Sequence, residues 1–134
     1  MAYSAQLLDH FCNPRHAGEL SDATVAAEAS NPVCGDVIKL WLRVEQGRVI
    51  AASFKAAGCA PAIACGSWLA ERLAGGESVV ALNAIAPDEI EAGVGGLPAA
   101  SRHAAHLAVD ALRKAVATLA GAASQSDDQR GREI

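Results

Sequence analysis

Apolar positions 7, 8 and 11 recur at helical spacing near the start of the chain, and from Asp36 onward the pattern switches to period two. Leu7, Leu8 and Phe11 share one stripe, Ser4 is a cap and Asn13-Pro14 a stop, so a first helix is expected over residues 3–13. Ile38, Leu40, Leu42 and Val44 then alternate with Lys39, Trp41, Arg43 and Glu45, the pattern of a half-buried strand. Gln46-Gly47 makes a tight turn. Ile50, Ala52, Phe54 and Ala56 form the apolar side of the next strand, which completes an antiparallel hairpin. A weaker run over residues 24–29 adds a third strand upstream.

Gly58-Cys59-Ala60-Pro61 interrupts the alternation, and Pro61 suits an early helical position in a segment running to about Ala74, where Gly75-Gly76 stops it. Cys59 therefore sits at a strand-to-helix junction. Residues 75–97 are rich in Gly and Pro and read as a connecting region with at most a helical turn over residues 87–91. Leu107, Ala108, Ala111, Leu112, Ala115, Val116 and Leu119 make an amphipathic final helix over about residues 101–122. The polar segment 124–134 is expected as a disordered tail, leaving one domain over residues 1–123.

Composition narrows the function classes. The 134 residues include 31 alanines, which favour helices more than they fill a core. Net charge is −4, and Lys and Arg are scattered, so the electrostatic footprint of a nucleic-acid binder is missing. No apolar run is long enough to span a bilayer, and the first ten residues lack the features of a signal peptide, so a cytoplasmic protein with no membrane partner is expected. In that setting four cysteines read as thiols rather than as a disulfide framework.

Cys34 lies in a turn, followed by a glycine and then Asp36, which places a carboxylate two residues from a thiol in a setting that suits a metal. Cys59 follows a glycine at a helix N-terminus, where backbone N–H groups and the helix dipole favour the thiolate. Free cysteines are also among the most commonly buried residues, so an inert core thiol is the competing reading for both. His103 opens the final helix, with His106 three positions later, and either could offer an imidazole nitrogen; solvated or capping histidines are the commoner case. Cys65 shares a stripe with Leu69 and Leu73 and reads as a packed core thiol. About 9 Å of rise and roughly 240° of rotation separate it from Cys59, poor geometry for one small site. Nothing beside Cys12 would activate a thiol, and it is given no role.

Asp9-His10, Asn13-Pro14-Arg15, Cys34-Gly35-Asp36, Gly58-Cys59 and Leu97-Pro98 through His103 occur in order, and with them the chain closely resembles the IscU/NifU-like iron–sulfur cluster assembly scaffold family over about residues 1–120. The resemblance implies an α+β fold, a three-stranded antiparallel sheet with helices packed on one side. It also implies a carrier rather than an enzyme: sulfur arrives from a cysteine desulfurase, a transient [2Fe–2S] cluster is built, and the cluster passes to acceptor apo-proteins. Cys34, Asp36, Cys59 and His103 match the family's ligand positions. The family's third cysteine, directly after the histidine, is Ala104 here.

The remaining set could still fill four positions around a cluster or one zinc ion, since histidine is an accepted substitute for thiolate. Sulfur uptake would fall to Cys34 or Cys59. Leu97-Pro98-Ala99-Ala100-Ser101 keeps only the first two residues of the chaperone-recognition motif of many IscU proteins, which weakens the expectation of an Hsp70-type chaperone partner. Two other functions fit the same residues: a zinc-bound or metal-free regulatory partner of a cysteine desulfurase, and a sulfurtransferase accepting persulfide on Cys59.

Overall fold

The computed structural model describes residues 3–33 and 35–132, with side chains described through residue 121. In chain order the elements are α1 (Ala5–Cys12), β1 (Val25–Asn31), β2 (Asp36–Glu45), β3 (Arg48–Ala57), α2 (Ala60–Ala74), α3 (Pro87–Gly93) and α4 (His103–Arg132). Short 3₁₀ segments cover Val79–Ala84 and Ala99–Ser101. The sheet is antiparallel with order β1-β2-β3, the α+β arrangement expected from the sequence.

The alternation in β2 places Ile38, Leu40 and Leu42 on the face covered by α2 and α4, all fully buried. Phe54 of β3, Leu69 and Leu73 of α2, and Leu107, Ala108, Ala111, Leu112 and Ala115 of α4 belong to the same core. Small residues let these helices approach closely. A Cβ added at Gly66 would lie 2.6 Å from the Phe54 ring, so α2 rests its backbone directly on the aromatic face.

The structure corrects the sequence reading at several points. Ile50 is 44% exposed and Val49 is fully buried, the reverse of the expected facing. A register shift after Arg43 pairs Val44 with Val49 while Arg43 pairs with Ala51; the extra residue, Ile50, is turned outward and the alternation resumes at Ala52. On α1 the buried stripe is Leu7 and His10, with Leu8 and Phe11 exposed, because α1 packs chiefly on α2 and one main neighbour covers a narrow stripe. Trp41, expected on the polar face, is 7% exposed and carries the Lys39 ammonium 5.0 Å from its ring centroid.

The connecting region is part of the core. Leu82, Ile85, Ile90 and Val94 are buried there, each too isolated in sequence to register as a periodic pattern. Arg72 of α2 anchors it through ion pairs with Glu77 and Glu89. The last helix continues to Arg132, past the boundary expected at residue 122, as a helix already nucleated extends readily through polar residues.

Candidate metal centre

Hairpin register builds the centre. Val37 pairs with Ala57, so Asp36 at the start of β2 sits beside Gly58 and Cys59 just beyond β3. Cys59 is the N-cap of α2, in extended conformation, and His103 is the first residue of α4. Three elements thus deliver a carboxylate, a thiol and an imidazole whose ligand atoms all lie within 4.8 Å of one another. Among the described residues this is the one group of His, Cys, Asp and Glu arranged to hold a metal ion.

Asp36 is the hub. Its Oδ1 accepts the backbone N–H of Cys59 at 3.1 Å; its Oδ2 accepts the Cys59 thiol at 3.0 Å and the His103 Nε2–H at 3.1 Å. At 3% exposure an uncompensated carboxylate would be costly, and these donors are the compensation. Burial acts to raise its pKa, but the hydrogen bonds from Cys59 and His103 outweigh it and leave it below the usual carboxylate value.

The same contacts work on the thiol in the opposite sense. Burial first, then the adjacent Asp36 carboxylate, push Cys59 up to about 11. The helix end therefore does not make Cys59 a thiolate, contrary to the expectation from its position. The Ala62 N–H at the start of α2 does lower the value, yet burial and a neighbouring negative charge dominate, so the free thiol keeps its proton.

The other sequence candidates are dispersed. Cys65 is fully buried among apolar side chains and pushed up to about 12, as a core thiol should be. Cys12 is exposed at the end of α1, and His106 is exposed on α4, outside the cluster. Ala104 is fully buried, so a core methyl group occupies the position next to His103. Cys34 lies outside the described residues.

The motif residues at the chain start prove to be a staple. His10 Nδ1 lies 2.7 Å from Ser67 Oγ, which also accepts the Arg15 N–H at 2.8 Å, and Arg15 pairs with Asp9 at 2.7 Å. These contacts tie α1 and the following turn to α2. Nothing in the spacing of residues 9, 10 and 15 announces Ser67, so this role was not readable from the sequence.

The NifU-like N terminal domain model fits residues 2–125, which carry this sheet and the three converging side chains. The chain belongs to this family. It is 39% identical over 114 residues to the iron–sulfur cluster assembly scaffold protein IscU 1 of Archaeoglobus fulgidus, across 85% of this chain and 74% of that protein. It is 36% identical over 124 residues to the IscU scaffold protein of Escherichia coli, across 87% and 93%.

With the nitrogen fixation protein NifU of Cereibacter sphaeroides the identity is 48% over 118 residues, 88% of this chain, which spans about half (48%) of that relative. Among solved structures, the N-terminal part of a nitrogen-fixing NifU-like protein from Brucella abortus superposes with a TM-score of 0.67 at 20% identity, covering 84% of this chain and 90% of that one. At that identity the match speaks for the fold. Among the described residues of this NifU-like domain, no helix is long and apolar enough to cross a membrane.

Proposed function

We propose that the chain is an iron–sulfur cluster assembly scaffold whose cargo is a labile [2Fe–2S] cluster, held by Cys34, Asp36, Cys59 and His103. One observation carries the reading: the carboxylate, thiol and imidazole of Asp36, Cys59 and His103 converge within 4.8 Å from three separate elements. The scaffold names of the IscU relatives support it. Sulfur comes from a cysteine desulfurase and the finished cluster goes to acceptor apo-proteins. A hard carboxylate oxygen matches cluster iron less well than a thiolate, which suits a site that must release what it builds.

The test is iron and acid-labile sulfide analysis of anaerobically purified protein, followed by reconstitution with iron and sulfide. A visible-region chromophore is expected, lost in both Cys34→Ala and Cys59→Ala. A Cys34→Ala protein that still assembles the full cluster refutes the ligand set.

A second reading is a zinc-bound partner of a cysteine desulfurase. One sulfur, one nitrogen and one oxygen already gathered around a small volume suit a single tetrahedral ion, and the buried Ala104 withholds a further thiol. Tight zinc uptake with no chromophore on reconstitution selects this reading. The sulfurtransferase alternative loses ground because the Cys59 thiol, pushed up to about 11, is a poor nucleophile in the metal-free protein.

A further inference from the structure

The Asp36 carboxylate occupies the space that a side chain at position 58 would fill. A Cβ on Gly58 would lie 2.0 Å from Asp36 Oδ1, 2.7 Å from its Cγ and 3.0 Å from its α-carbon. Turning the Asp36 side chain away would relieve the first two clashes only by withdrawing Oδ1 from the Cys59 N–H and Oδ2 from Cys59 Sγ and His103 Nε2. The close approach to the Asp36 backbone would remain. Gly58 also has φ +128, a backbone conformation that L side chains rarely adopt, so two separate constraints meet at one residue. Gly76 shows the second constraint without the first: its φ is +96, and a Cβ there meets nothing within 4 Å.

We infer that Gly58 is a positioning residue whose bare α-carbon is the seat of the Asp36 carboxylate, and that this seat holds the thiol, carboxylate and imidazole within reach of one ion. The inference rests on the metal-ligand reading above and adds to it a residue that touches no cargo. A side chain at 58 lifts the carboxylate off its seat, and Cys59 and His103 then lose the acceptor that gathers them.

The experiment compares Gly58→Ala, Asp36→Ala, the double variant and Gly76→Ala in the full chain. Zinc affinity is measured by competition with a chromophoric chelator, and cobalt(II) is bound as a spectroscopic probe of the donor geometry. Gly58→Ala is expected to weaken zinc binding by about 10- to 100-fold, the usual effect of disturbing the groups that orient ligands. Its cobalt ligand-field bands should shift, while Gly76→Ala keeps the parent affinity and spectrum.

Urea midpoints separate seat from strain. The positive-φ cost is common to both backgrounds, so Gly58→Ala should lower the midpoint more when Asp36 is present than when residue 36 is alanine. If Gly58→Ala alone fails to fold, recovery of folding in the double variant supports the seat, and failure to recover overturns it. Unchanged zinc affinity in Gly58→Ala, or equal midpoint losses in the two backgrounds, also overturns it. A parent protein that takes up neither metal sinks the ligand reading instead, and the urea comparison then decides the seat alone.

Discussion

Asp36 Oδ2 lies 3.0 Å from the sulfur of Cys59 and takes up its hydrogen bond, so in the free protein the two groups satisfy each other. A thiol becomes a metal ligand by losing its proton, and this carboxylate therefore acts against ionisation until a cation arrives to compensate.

Replacing Asp36 by alanine should make Cys59 more reactive. Burial is the larger influence on the thiol and stays, while the carboxylate's share is removed, so its pKa falls part of the way from about 11 toward the ordinary 9.0. Iodoacetamide alkylation at pH 8, read peptide by peptide by mass spectrometry, should speed up at Cys59 by about three- to fourfold for each pKa unit recovered, the larger thiolate fraction being partly offset by its lower nucleophilicity. A rate equal to the parent's would show that Asp36 does not restrain the thiol.

The two thiols of the α2 region should separate cleanly on substitution. Cys59→Ala should remove zinc and cluster binding with the fold intact, since the residue is a half-buried cap. Cys65→Ala should leave metal binding in place and cost about 1–2 kcal/mol of stability through lost packing in the core. Metal analysis beside urea denaturation of each variant checks both.

Stability should fall on mild acidification because of His10. Burial chiefly, with Arg15 nearby, holds its folded-state pKa below the ordinary 6.5, against smaller opposing effects of Glu71 and Asp9. The unfolded chain thus takes up a proton first as pH drops. The contribution is whole above about pH 6.5 and is lost as pH falls through the depressed folded value. Urea midpoints of the parent at pH 7.5 and 5.0 should differ more than those of His10→Gln, which starts lower after disturbance of the Ser67 contact. An identical acid slope in the variant would exclude His10 as the cause.

Gly66→Ala should destabilise the protein although alanine is the better helix former. The propensity gain is about 1 kcal/mol, whereas a methyl group 2.6 Å from the Phe54 ring forces α2 off the sheet at a cost of about 1–3 kcal/mol. Chemical denaturation gives the sign directly, and a net stabilisation would mean that Phe54 yields easily.

The chain by itself determined the hairpin over β2 and β3, the Pro61-led helix after Cys59 and the core stripe of α4, because period-two and helical patterns and turn residues act over a few neighbouring positions. It also marked Asp36, Cys59 and His103 as candidates, through local settings and a family resemblance. Ile50 turned outward because a bulge depends on how two strands align, which neither strand encodes alone. The buried residues of the 79–94 stretch were hidden because single apolar anchors carry no period. The proton on Cys59 was decided only in three dimensions: helix-end chemistry is local, but the Asp36 carboxylate that overrides it comes from 23 positions upstream and reaches the sulfur through strand pairing past a residue with no side chain.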